Sequence, residues 1–162
     1  GLPMYCFLSG GISALHHRPP TYREQIAQSW GCIAAGCTGV AWYEGFPDTE
    51  GTWKAMVDVN REAQSIKDAI LSEELCGEAT ADVGLEKLRV LTRRNGSVWT
   101  LVACNVDANP LSSVTFTLPA DAPRSGAVEV LFENRTLPLE NGRFADAFPG
   151  HDRHDYAIKE AP

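Results

Sequence analysis

Pro20-Thr21-Tyr22-Arg23-Glu24, followed by Gly39-Val40-Ala41-Trp42-Tyr43, is the stretch that decides the fold. The Thr21 hydroxyl can accept from the amide near Glu24 while the Glu24 carboxylate answers the Thr21 amide, a capping box that starts a helix. Ile26, Trp30, Ile33 and Ala34 then recur at helical spacing, and Gly36 suits a left-handed terminator. The run from Gly39 to Tyr43 ends at Glu44-Gly45-Phe46-Pro47, and an earlier run, Met4 to Leu8, ends at Ser9-Gly10-Gly11. Both are short, apolar and bounded by turn residues, as buried parallel strands are. The unit is therefore strand, helix, strand.

Downstream, Trp53, Met56, Val57, Asn60, Ala63, Ile66 or Lys67, and Ile70 mark one side of a second helix running to about Glu74. Lys54, Asp58, Arg61, Glu62 and Asp68 form the opposite, solvated face. The polar and small residues 77–84 read as a linker. From Leu85 the period changes to alternation, with Leu88 to Thr92 and Val98 to Ala103 flanking a turn at Asn95-Gly96. Val114 to Leu118, Ala127 to Phe132, Thr136 to Leu139, Arg143 to Phe148 and Asp155 to Lys159 supply further short strands, with a second Asn-Gly turn at Asn141-Gly142. Regularly spaced short strands of this kind predict an antiparallel sandwich over 85–162, and residues 1–76 are a separate α/β segment.

The chain has 162 residues, of which 44% are apolar and 22% charged, the profile of a globular protein. Lys and Arg total 14 against 21 Asp and Glu, a formal charge of −7 that repels phosphate backbones and anionic headgroups, so no nucleic-acid partner is expected. Apolar runs are broken well before the roughly 18 residues of a membrane span, so no membrane partner is expected either. The five cysteines are an odd set with no CxxC pair and no Cys/His spacing suited to zinc, and they read as free thiols packed as small hydrophobes. No metal and no cofactor is predicted, and no Gly-rich phosphate loop or nucleophile elbow is present.

The segment His17-Arg18-Pro19-Pro20-Thr21, then Glu24, Gln28, Trp30, Ala34-Ala35-Gly36 and Gly39 to Tyr43, resembles the last βα units of glycoside hydrolases built on a (β/α)8 barrel. Glu129 to Arg135, Asn141 to Phe148 and His154-Asp155-Tyr156 resemble the β-sandwich that closes many of these enzymes. The resemblance implies an α/β plus all-β chain: 1–76 as the last two strand-helix units of a (β/α)8 (TIM) barrel, 77–84 as linker and 85–162 as C-terminal β-sandwich. A closed barrel needs eight strands, and two are offered here. The chain thus looks like the C-terminal portion of a carbohydrate-active enzyme that hydrolyses O-glycosyl bonds, inactive alone. The alternative is a non-catalytic carbohydrate-binding or protein-interaction module whose sandwich is the working part.

Glycoside hydrolysis uses two carboxyl groups about 5 to 10 Å apart. Glu44, at the C-terminal end of the second strand, is the candidate catalytic residue, because barrel active sites assemble on that face. Ser9-Gly10-Gly11 occupies the matching end of the first strand, so the second carboxylate of the pair is not visible. His16, His17 and Arg18, in the loop after the first strand, are candidate sugar-binding groups, although Arg18 could instead brace the Pro19-Pro20 turn. Trp42 and Tyr43 could stack on a sugar ring, but adjacent strand positions face opposite ways, so at most one lines the barrel mouth. Ile26, Trp30, Ile33, Trp53, Val57 and Ile70 would lie uncovered in a lone partial barrel, which predicts a homo-oligomer or a complementary N-terminal barrel chain in addition to carbohydrate.

Overall fold

The computed structural model describes residues 3–11, 18–43, 47 and 49–159. Strands β1 (Tyr5–Ser9) and β2 (Gly39–Tyr43) pair in parallel, with Tyr5 opposite Gly39 and Ser9 opposite Tyr43. Helix α1 (Tyr22–Ala34) connects them. Its capping box is formed: Thr21 Oγ1 accepts from the Glu24 amide at 3.3 Å and Glu24 Oε2 accepts from the Thr21 amide at 2.8 Å. Gly36 ends the helix at φ 94°, the left-handed conformation that lacks a penalty only without a Cβ. Helix α2 (Glu50–Ser65) and the short α3 (Lys67–Ile70) follow.

The rest of the chain, and most of the regular structure, is antiparallel sheet. Strands β4 (Leu88–Asn95), β5 (Val98–Asn105), β10 (Asp152–Lys159), β7 (Gly126–Val130) and β8 (Arg135–Leu139) form a five-stranded sheet in that spatial order. Strands β3 (Thr80–Ala81), β6 (Leu111–Thr117) and β9 (Arg143–Phe148) form the facing three-stranded sheet. The stretch expected as a linker therefore contributes a strand: Thr80 and Ala81 pair with Thr117 and Phe116 of β6. Polar composition hid it, because an edge strand this short buries only part of one side chain.

Both Asn-Gly signals lie at hairpins, the first displaced by one residue: Asn95 ends β4 and pairs with Val98, leaving Gly96-Ser97 as the loop in place of Asn95-Gly96. Gly96 takes φ 62° between β4 and β5, while Asn141 (φ 53°) and Gly142 (φ 72°) give the paired positive angles of a type I′ hairpin closed by reciprocal Glu140–Arg143 backbone bonds.

Two apolar layers hold the molecule together. Trp99, Phe116, Phe144, Phe148, Tyr156 and their neighbours fill the space between the two sheets. The outer face of the five-stranded sheet is not solvated; α1 crosses β5 and β10 and packs Ile26, Trp30 and Ile33 onto Leu91, Val102 and Cys104. This corrects the expectation that Ile26, Trp30, Ile33 and Ile70 lie open in a lone chain, since all four are buried, Trp30 completely. The sandwich supplies the surface that a local reading of the helices cannot see.

The orientation of α2 also differs from expectation. Thr52, Ala55, Met56 and Val59 face inward, whereas Trp53 (56% exposed) and Val57 (43%) face out. Asp58, assigned to the solvated side, is buried. The helix carries two apolar stripes, and α1 takes the one beside Asp58, where Tyr22 offers a hydroxyl to that carboxylate.

Candidate functional site

The C-terminal ends of β1 and β2 and the N-termini of α1 and α2 converge on one end of the α/β segment. Thr49 caps α2 by accepting from the Thr52 amide at 3.1 Å, and the Thr52 hydroxyl donates to the Pro20 carbonyl at 2.9 Å, tying the two helix starts together. Below them Tyr22 donates to Asp58 at 2.9 Å, and Lys54 and Arg61 also bond that carboxylate. Burial alone would raise Asp58, but these three donors hold it below the usual carboxylate range. Burial and the Asp58 bond push Tyr22 up to about 12. The floor beneath the loops is built from these satisfied polar pairs.

Of the residues expected to carry chemistry here, Glu44, His16 and His17 lie outside the described residues. Arg18 is described. Its guanidinium forks onto Glu24 at 2.7 and 2.6 Å and also reaches the Pro19 carbonyl at 3.1 Å. The bond from Arg18 is the main reason the Glu24 carboxyl drops to about 2. This is the bracing role for Arg18, holding the Pro19-Pro20 turn against the helix cap.

Trp42 and Tyr43 separate as strand alternation requires. Trp42 packs with Val40 toward α1 and α2. Gln25, fully buried, links it to β1: with its amide oriented to suit both partners it accepts from Trp42 Nε1 at 2.8 Å and donates to the Ser9 carbonyl at 3.0 Å. Tyr43 stands on the opposite face, 66% exposed, beside Tyr5 (64%) and Phe7 (75%). Among the described residues this aromatic face of the strand pair carries no helix and the pair has no third strand.

Two polar clusters lie outside the residues expected to form a site. In the sandwich, Arg135 bonds Asp146 at 3.1 and 2.7 Å and Glu133 at 2.8 Å, Tyr156 donates to Asp146 at 3.0 Å, and His154 bridges Glu133 and the Ala147 carbonyl. Burial opposes ionisation of Asp146, yet the Arg135 and Ala147 bonds hold its carboxyl below normal. These are residues of the phrases that carry the family resemblance, and here they lock β8, β9 and β10 to one another. His154 sits on the central strand of its sheet against Phe148.

The second cluster joins the layers. Arg153 lies over the Trp30 ring at 5.3 Å, bonds Glu62 of α2 and approaches Asp155 at 3.4 Å without a hydrogen bond. Asp155 is completely buried, and burial pushes its carboxyl up to about 7. Nothing local in the sequence pairs residues this far apart.

The cysteines also gather. Cys6, Cys32 and Cys37 place their sulfur atoms within 4.8 Å of one another. Spacing arguments miss this because Cys6 comes from a different strand.

No family model matches the chain, and no curated protein matches it in sequence. Its fold is nonetheless that of a part of known glycoside hydrolases. An α-amylase from Anoxybacillus superposes with a TM-score of 0.63 at 11% identity, over 99% of this chain and 39% of its own. AmyP, in complex with maltose, superposes at 0.63 and 12% identity, over 87% of this chain and 36% of its own. A family 30 subfamily 8 xylanase from Clostridium acetobutylicum gives 0.56 and 9%, over 98% and 43%. The chain spans well under half the length of each.

Proposed function

We propose that this chain is the C-terminal portion of a carbohydrate-active enzyme of the glycoside hydrolase type, in which β1, α1, β2 and α2 are the last units of a (β/α)8 barrel and the sandwich is the closing domain. The observation that carries the reading is the two-sided character of the β1–β2 pair. One face is covered by helices while the other presents Tyr5, Phe7 and Tyr43 to solvent. A parallel strand pair is stable when covered on both faces, so its bare face calls for a covering layer, which a closed barrel supplies with the inward side chains of its other strands. The exposed stripe of Trp53 and Val57 on α2 is where a preceding or following helix of such a ring would pack.

On this reading the loops after β1 and β2 form part of a sugar-binding face. Glu44 is its one catalytic carboxylate from this chain, and His16, His17 and Tyr43 make substrate contacts. Arg18 and Trp42 act as supports beneath it. The partner carboxylate comes from the remaining barrel, so the chain alone lacks the pair that acid catalysis and nucleophilic or general-base attack require. The partners are carbohydrate and the complementary barrel portion, whose place a second copy could take. The solved fold of AmyP with maltose supports the substrate class.

The test is an assay of the isolated chain on a panel of aryl glycosides. No turnover is expected, and robust hydrolysis would refute the claim that half the catalytic pair is elsewhere.

A further inference from the structure

At the end of the α/β segment opposite the loops, three thiols from three different elements meet. Cys6 is the second residue of β1 and shares the helix-facing side with Leu8; Cys32 lies in the last turn of α1; Cys37 closes the turn before β2. Cys6 and Cys37 sulfurs are 3.2 Å apart, and all three lie within 4.8 Å. A d10 ion with sulfur ligands at about 2.3 Å sets them about 3.8 to 4.0 Å apart in tetrahedral or trigonal geometry, inside the range these three span. We propose that Cys6, Cys32 and Cys37 bind a thiophilic d10 metal ion, zinc in the first instance, as three thiolates.

The backbone holds the sulfurs in place before any ion arrives. Gly36 in its left-handed conformation turns the chain back so that the Cys37 amide bonds the Cys32 carbonyl at 3.0 Å, closing a Cys-x4-Cys loop. Thr38 fastens that loop to the start of β1, its amide donating to the Met4 carbonyl at 2.9 Å and its hydroxyl accepting from the Met4 amide at 2.9 Å. The arrangement is pre-organised by main-chain bonds on both sides. The three thiols also line a cavity of about 620 Å³, whose wall includes Glu24, Gln28, Arg89 and His151. That cavity gives an ion its way in and leaves a fourth position for water. On binding, each S–H proton passes to solvent as the sulfur–metal bond forms, with no change of oxidation state. The remaining cysteines are placed elsewhere: Cys104 is buried against the Ala27 carbonyl, and Cys76 packs at the sandwich margin. A metal here staples β1, α1 and β2 together. None of the residues of the proposed sugar-binding face takes part, and the thiol site stands independently of it.

The test uses the full chain, freshly reduced, with zinc in competition with a chromophoric chelator and with cadmium followed by its thiolate charge-transfer absorption. One equivalent of either metal is expected. Cys6→Ser, Cys32→Ser and Cys37→Ser should each weaken zinc binding by about 100-fold or more, and Cys76→Ser should leave it unchanged. Because a variant could fail to fold, alkylation of the unaltered chain gives a second readout: zinc should protect Cys6, Cys32 and Cys37 and leave the reaction of Cys76 unchanged. The proposal is overturned if zinc is not taken from the chelator, if the alkylation pattern does not change, if uptake survives Cys32→Ser, or if the unreduced chain carries a Cys6–Cys37 disulfide in place of metal.

Discussion

Replacing Asp155 by Asn should remove a pH-dependent instability built into the joint between the helices and the sandwich. Asp155 is fully buried on β10, with both carboxylate oxygens unbonded and Arg153 at 3.4 Å. Burial raises its carboxyl from 3.8 to about 7, with Arg153 partly opposing and Glu62 and Glu133 adding to the rise. A folded state that holds a proton more tightly than the unfolded chain loses stability as pH rises from about 4 to about 7. Linkage gives a loss from this one group of about 1 kcal/mol at pH 4.5 and about 4 kcal/mol at pH 7.5. Asn cannot ionise, so the stability difference between Asp155→Asn and the parent should shift by about 3 kcal/mol in favour of the variant between those two pH values. Taking the difference cancels carboxylates such as Asp146 and Glu24, whose depressed values act in the opposite direction. Urea unfolding followed by tryptophan fluorescence at both pH values measures it. Curves that stay parallel between pH 4.5 and 7.5 would refute the reasoning.

Three further outcomes are expected. Trp30→Ala, which empties the space between α1 and the five-stranded sheet, should cost about 3 to 5 kcal/mol in urea unfolding, because the side chain is fully buried. Glu24→Ala should unhook both the Thr21 amide and Arg18, costing about 1 kcal/mol near neutral pH. That difference is present above pH 4.5 and fades as pH falls through about 2, where the parent carboxyl also takes its proton. Gly150→Ala should destabilise by about 1 to 3 kcal/mol, since a Cβ there would stand 1.9 Å from the Ala108 carbonyl oxygen, a backbone atom that cannot swing aside; thermal unfolding reads it.

Features set by near neighbours along the chain are legible in the sequence alone. The Thr21–Glu24 box, the Gly36 terminator and the Asn141-Gly142 turn each depend on side chains within four residues and stand where expected, while the β4–β5 turn falls one residue later than expected, on Gly96-Ser97, because Asn95 pairs with Val98. The β-sandwich strands are legible from alternation for the same reason. What the sequence leaves open is set by distant partners. Trp53 and Met56 lie on two different apolar stripes of α2, and the position of α1 decides which is buried. Ile26 and Trp30 signal a buried stripe but not the sheet of the sandwich that covers it. In the candidate site, the opposite facing of Trp42 and Tyr43 follows from strand alternation, whereas the side each one faces depends on where the helices lie. Arg18 has two chemically sensible roles, and the cap carboxylate three residues past Thr21 claims it. The thiol cluster needs β1 and β2 to be paired in register before Cys6 can meet Cys37.

The β1–β2 pair has two open edges among the described residues as well as a bare face, and amide hydrogen exchange at those edges tests the need for the rest of a barrel most directly. In a parallel pair each strand directs alternate amides to its partner and the others outward. With the chain alone, at a dilution where light scattering gives a monomer, the outward amides of Tyr5–Ser9 and Gly39–Tyr43 should exchange at nearly unprotected rates while the inward set is slow. Attached to a complementary barrel portion, both sets should be slow. Full protection of every amide in both strands of the isolated monomer would mean that the pair is already covered, and the barrel reading would be contradicted.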